Sequence, residues 1–168
     1  MDNIVLIGMP SSGKSTAGVL LAKTIGYGFI DCDLLIQNEQ KALLRDIIGR
    51  EGAEGFIAIE ERINSELWAE HCVIATGGSV IYGEKAMKHL KEMGKIVYLH
   101  LSEGEVARRI TSLSLRGVVM KGNVTTLDEL YAERAPLYEK YADVTINCDH
   151  QTIDETVAAL VAAVGAVR

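Results

Sequence analysis

At 168 residues, 48% of them hydrophobic and 24% charged, the chain suffices for one buried core and is too short for two ordinary domains. A net charge of −6, with no Lys or Arg cluster beyond doublets such as Arg108-Arg109, argues against a nucleic-acid surface. No stretch approaches the roughly 18 apolar residues of a membrane span and Asp2 stands where a signal peptide would be basic, so a cytoplasmic protein with a small-molecule partner is expected.

The first element is an apolar run, Ile4–Ile7, which reads as a strand buried on both faces. It leads directly into Gly8-Met9-Pro10-Ser11-Ser12-Gly13-Lys14-Ser15, a P-loop, and then into an amphipathic stretch, Thr16–Ile25. In that context the glycines let successive backbone N–H groups face a phosphate, Lys14 reaches the β and γ phosphates, and the Ser15 hydroxyl ligates Mg²⁺. The helix that follows adds the positive end of its dipole. Gly8, Ser11, Ser12, Gly13, Lys14, Ser15 and Thr16 are the candidate nucleotide-binding residues, with ATP and Mg²⁺ the expected cofactors.

A second strand, Gly28–Asp31, ends in Asp31-Cys32-Asp33 before a helical stretch from Leu34 to Glu39. Side chains at i and i+2 on a strand share one side, which predicts that both carboxylates face one cleft, Asp31 toward Mg²⁺ and Asp33 toward an acceptor hydroxyl as base or hydrogen-bond acceptor. Capping the helix at Leu34 is the competing role for either acid. Helical stretches follow at Leu43–Ile48 and Glu54–Ala69, then a third strand at Cys72–Ala75. After it, Thr76-Gly77-Gly78-Ser79 is either a tight turn or a set of backbone N–H groups open to substrate.

The second half continues with a helix at Glu84–Lys91, a strand at Ile96–Leu101 and a helix at Glu103–Thr111. From Leu113 to Thr126 the periodicity fails, and Arg116, Gly117, Lys121 and Gly122 read as a positively charged lid whose Arg116 would stabilise a transferred phosphoryl group. A helix at Leu127–Tyr141 carries Arg134 beside an interruption at Pro136, where it is aimed into the cleft or makes a surface ion pair. A strand at Val144–Ile146 and a helix at Ile153–Val167 complete the chain. Strands alternating with helices predict an α/β fold, a three-layer doubly wound parallel sheet of about five strands of the P-loop NTP hydrolase type, with ligands beyond the carboxyl ends of the strands.

The P-loop, Asp31-x-Asp33, Gly55-Phe56-Ile57-Ala58-Ile59-Glu60, Thr76-Gly77-Gly78, the lid Arg116 and Arg134-x-Pro136-Leu137-Tyr138, in that order, resemble the shikimate kinase family over almost the whole chain. The resemblance implies a nucleoside monophosphate kinase-like fold, one domain over residues 1–168 with a substrate-binding helical insert over about 34–62 and a lid over about 112–125. It implies transfer of the ATP γ-phosphoryl group to a ring hydroxyl, Lys14, Asp33 and Arg116 as catalytic residues, Arg109 near adenine, and Asp33, Gly77, Gly78 and Arg134 against a small hydroxylated acceptor. It also implies a monomer. Three positions depart from the pattern: Ile57 replaces an arginine that holds the shikimate carboxylate, Ser79 replaces a third glycine, and Gly117 replaces the proline of the lid.

Nucleotide-side residues are intact while acceptor-side residues differ. A hydrogen bond to a charged group contributes about 1.5–3 kcal/mol, so the missing arginine predicts recognition of shikimate weakened by roughly 10- to 100-fold. A second reading is an acceptor-independent NTPase or nucleotide-dependent switch, which would keep Lys14 and Ser15 but need no shaped acceptor pocket.

Overall fold

The computed structural model describes residues 2–110 and 117–165. Strands β1 (Asn3–Ile7), β2 (Gly28–Asp31), β3 (Cys72–Ala75), β4 (Gly94–His100) and β5 (Val144–Asn147) form one parallel sheet in the order β2-β3-β1-β4-β5. Val5, Leu6 and Ile7 in β1 and Ile96, Val97, Tyr98 and Leu99 in β4 are all buried, the apolar-on-both-faces pattern of a sheet covered by helices on each side.

The α-helices among the described residues are α1 (Lys14–Ile25), α2 (Cys32–Gln40), α3 (Leu44–Glu66), α4 (Glu84–Met93), α5 (Glu103–Arg109), α6 (Leu127–Tyr141) and α7 (Ile153–Gly165). The path from β1 to β2 leads one way along the sheet and every later crossover leads the other way. Right-handed crossovers therefore put α1 on one face and α3, α4 and α6 on the other. The packing agrees, because α7 lies against α1 and α3 against α4. Such a reversal of direction opens a crevice at the carboxyl ends of the central strands. Ala75 pairs with Leu6 on one side and Asp31 on the other, so β1, β2 and β3 end level and their following loops begin side by side.

Local chemistry moves several boundaries. Gly13, left-handed at φ 89°, lets α1 begin at Lys14 instead of Thr16. Helix α2 begins at Cys32 instead of Leu34 because Asp31 is its N-cap, accepting from the Asp33 and Leu34 N–H groups. Asp33 therefore sits in the first turn of a helix, and the strand-periodicity argument that paired it with Asp31 does not apply. The two helical stretches anticipated between Leu43 and Ala69 form α3, broken at Gly52 (φ 73°, ψ 175°).

The interruption anticipated at Pro136 is absent, and α6 runs through it. Proline there deletes only the bond to the Ala132 carbonyl, while Leu130, Arg134 and Tyr138, buried at four-residue spacing, hold one face of the helix inward. A capping box between Thr126 and Glu129 fixes its start. Apart from the main core over the sheet, Ile36, Ile47, Phe56, Ile63 and Val119 form a second apolar cluster that ties α2 and α3 to the segment after Gly117.

Candidate active site

The loop between β1 and α1 wraps into a cradle whose shape its own residues enforce. Gly8 has φ 153°, and a β-carbon there would stand 2.8 Å from the Leu99 carbonyl oxygen. Ser11 (φ 63°) and Gly13 are also left-handed, and α1 starts with no side-chain cap, so its first N–H groups face the cradle. Lys14 Nζ donates to the Gly8 and Met9 carbonyl oxygens, at 2.8 Å each. Burial pulls the Lys14 ammonium down to about 8, against the opposing pull of the Asp33 carboxylate.

Ser15 Oγ donates to Asp31 Oδ2 at 2.6 Å, while Asp31 Oδ1 takes the N–H of Asp33 at 3.0 Å. One carboxylate thus caps α2 and holds the P-loop hydroxyl. This hydroxyl–carboxylate pair, two hard oxygen donors beside a phosphate cradle, suits the demands of a hydrated Mg²⁺.

Opposite the cradle lies a wall drawn from distant parts of the chain, and the two enclose a cleft of about 390 Å³. Asp33 reaches it from α2, its carboxyl raised above the usual range mainly by burial and held back by the Lys14 charge. Arg134 reaches it from α6 and is 1% exposed, with Nη2 donating to the Val119 carbonyl at 2.5 Å and Nε to Tyr82 Oη at 3.3 Å. Among the described residues no carboxylate makes an ion pair with Arg134. A buried guanidinium in that state offers its charge to an anion in the cleft.

The Gly77-Gly78 turn is glycine for reasons of space. A β-carbon at Gly78 would lie 2.8 Å from Arg134 Nη1, and one at Gly77 2.4 Å from Glu60 Oε2. Tyr138 Oη fixes the turn by donating to the Gly78 carbonyl at 2.6 Å.

Of the residues named from the sequence, Ser11, Gly13, Lys14, Ser15, Thr16, Asp33, Gly77, Gly78 and Arg134 line this one cleft. Gly8 and Ser12 shape the cradle behind it, and Asp31 touches it through Ser15. Arg109 stands apart at the β4–β5 end, donating to Glu105 Oε1 at 3.0 Å and to the Cys148 carbonyl at 3.2 Å. Arg116 lies outside the described residues. Ile57 contributes nothing to the wall; it packs on the second apolar cluster, and the apolar surface of the cleft comes from Leu44, Phe56, Val118 and Val119.

Sequence reasoning left Glu60 without a role, although it is buried in the wall. Burial pushes its carboxyl up to about 7, with the Ser79 hydrogen bond pulling the other way. The available signal was its place four residues after Phe56 on an amphipathic helix, an unusual position for an acid.

A sequence model of the family described as shikimate kinase matches residues 10–164. The shikimate kinase of Paracidovorax citrulli is 37% identical over 163 residues, covering 95% of this chain and 87% of the relative. That of Thiobacillus denitrificans is 34% identical over 154 residues, covering 90% and 84%. Among solved structures, the shikimate kinase of Acinetobacter baumannii in complex with shikimate superposes with a TM-score of 0.89 at 28% identity, over 100% of this chain and 95% of its own.

Proposed function

The chain belongs to the shikimate kinase family, ATP-dependent phosphotransferases acting on a hydroxyl group, and from that premise we propose that it phosphorylates shikimate while gripping the carboxylate of this acceptor less firmly than its relatives do. The observation that carries this reading is the convergence of Lys14, Asp33, Arg134 and the Gly77-Gly78 turn, from four separate segments, on one cleft.

When bound, Mg-ATP would supply the phosphoryl group and a divalent charge to offset the phosphate negative charge. Ser15 Oγ and, through water, Asp31 would hold the ion. Lys14 would turn from the Gly8 and Met9 carbonyls to phosphate oxygens, and the N–H groups from Ser11 to Thr16 would cradle the phosphates. Asp33 accepts the hydrogen bond of the acceptor hydroxyl and orients it, its raised carboxyl being better matched to a base near neutral pH than an exposed aspartate. Arg134 holds the acceptor carboxylate.

Residues 34–62 serve as the acceptor-binding insert, and 112–125 as a lid, of which Gly117, Val118 and Val119 line the cleft. Arg109, which donates to the Cys148 carbonyl, is assigned to the adenine end on the strength of the family resemblance. Free Cys32, Cys72 and Cys148 suit the reducing cytoplasm, where the chain works as a monomer on small molecules and not on nucleic acid.

The test is coupled ADP release with Mg-ATP and shikimate. Shikimate is expected to raise the rate at least about tenfold, with a KM roughly 10- to 100-fold above that of the Acinetobacter baumannii enzyme assayed alongside. Lys14→Met should lower turnover about 1,000-fold. ADP release indifferent to every hydroxylated compound would replace this reading with an NTPase.

A further inference from the structure

Beyond the ends of β4 and β5, away from the acceptor wall, a carboxylate that the reaction just described does not use is buried under two arginines. Glu105, on α5, is 3% exposed. Its Oε1 accepts from Arg109 Nε and its Oε2 from Arg108 Nε, at 3.0 Å each. Arg108, and after it Arg109, pulls the carboxyl down to about 2, so Glu105 carries its charge at every assay pH. An ion pair that merely supported α5 would form as readily on the solvent face of the helix and needs no burial.

What the burial accomplishes is visible in Arg109. Two acceptors hold its guanidinium along one edge, Glu105 Oε1 through Nε and the Cys148 carbonyl through Nη2 at 3.2 Å. The two acceptors are tied to each other: Asp149 Oδ1 takes the Ser102 N–H at 2.8 Å, and the Ser102 side chain caps the helix that carries Glu105. A planar fork fixed along one edge cannot turn about its long axis. The part of Arg109 that reaches solvent, 23% of its side chain, therefore keeps one orientation.

Sheet order says what this group faces. The cradle follows β1 at the centre of the sheet, and the acceptor wall stands over β2 and β3. A triphosphate whose terminal group points at that wall must run its other end over β4 and β5. The Leu99 carbonyl of β4 already borders the cradle at Gly8, and the Arg109 network begins just past it. Arg109 thus stands at the nucleoside end, with its edge spent on the chain and its flat face left for a ring.

We propose that Glu105 is a positioning residue for the nucleotide: it holds the Arg109 guanidinium face-on to the nucleobase, so that this contact grips any purine ring by its face and reads none of its hydrogen-bonding edge. The inference rests on the kinase reading and on the assignment of Arg109 to the base end, and adds the group that sets its orientation.

The experiment measures by calorimetry the Kd of Mg-ADP, Mg-GDP and Mg-pyrophosphate on the unaltered protein, Glu105→Gln, Arg109→Ala and the double variant. Glu105→Gln should raise the Kd of both nucleotides by the same factor, about tenfold, and leave that of pyrophosphate within about twofold, because the cradle alone holds the phosphates. Arg109→Ala should do the same, and the double variant should add nothing further. Arg108→Gln, which removes the other and largely exposed partner of Glu105, should leave all three ligands unaffected. Glu105→Asp, which keeps the charge but withdraws it from Arg109, should show the pattern of Glu105→Gln at about threefold and carries the test if the neutral variant does not fold.

Equal weakening of pyrophosphate and Mg-ADP in the Glu105 variants would mean that the fold of this end, and not a base contact, had been damaged, and overturns the proposal. So does a double variant whose loss is the product of the two single losses, or a loss confined to Mg-ADP and absent for Mg-GDP. The kinase reading fails separately, on ADP release indifferent to every acceptor, which these binding measurements do not touch.

Discussion

The phosphate cradle and the acceptor wall face one cleft but are built on opposite plans. The cradle is a single stretch, Gly8–Thr16, whose shape follows from left-handed Gly8, Ser11 and Gly13 and from Lys14 bonding back to its own loop. The wall is stitched together across the chain: Arg134 to Val119, Tyr138 to Gly78, Ser79 to Glu60. A local device tolerates no partial change, whereas a wall of cross-links can lose one member and keep the others. The departures from the family pattern, Ile57, Ser79 and Gly117, all fall away from the cradle.

A pair of glycine substitutions tests that division, and carries the largest expected effects. In Gly8→Ala the new methyl meets a backbone oxygen at 2.8 Å with φ at 153°, and neither can yield. The outcome should be a loss of about 3 kcal/mol or more in stability, with Mg-ADP binding lost to calorimetry. In Gly77→Ala the methyl meets the ends of two side chains, which can swing aside but not back to where an acceptor needs them. The acceptor KM should rise about 100-fold, with Mg-ADP affinity nearly unchanged. Equal damage to Mg-ADP binding in both variants would dissolve the distinction between the two regions.

The same division governs what the sequence discloses. The strands were legible as short apolar runs and the cradle as a contiguous motif, because each is specified by neighbours in the chain. The acids after β2 were legible as residues but not as geometry, since Asp31 as an N-cap turns Asp33 into a helical residue and cancels the strand rule. Glu60 was hidden for a different reason. Helical spacing groups it with Phe56 and Asn64, yet only the folded chain brings that face of α3 against Gly77 and Ser79. The family motif sets Ile57 where an arginine would hold a carboxylate, and only the folded chain shows that its isoleucine packs on the second apolar cluster.

The burial of Glu60 in the wall sharpens the comparison further, since a wall kept for binding should weaken the fold that carries it. Its folded carboxyl titrates near 7 against an ordinary 4.5, raised chiefly by burial. The sign follows: the contribution to stability is fully present below about pH 4.5 and is lost as pH rises through about 7. Glu60→Gln cannot ionise. Its Tm relative to the unaltered protein should therefore climb by several degrees between pH 4.5 and pH 8 in thermal melts without nucleotide. Parallel Tm curves across that range would mean that Glu60 finds a cation in solution.

The smallest effect belongs to Tyr138, which stitches the wall without touching the cradle. Its ring stacks on Tyr98 at 5.2 Å between centroids, and its hydroxyl donates to the Gly78 carbonyl at 2.6 Å. Burial pushes the phenol up to about 12, so it remains a donor at every usable assay pH. Tyr138→Phe keeps the stacked ring and deletes one hydrogen bond, a loss of about 1 kcal/mol. Since that bond sets where the Gly78 backbone stands relative to Arg134, the loss should appear as a roughly fivefold rise in acceptor KM, with Mg-ADP affinity unmoved. An equal loss in Mg-ADP affinity would show that the stitch reaches across the cleft, and that cradle and wall move as one body.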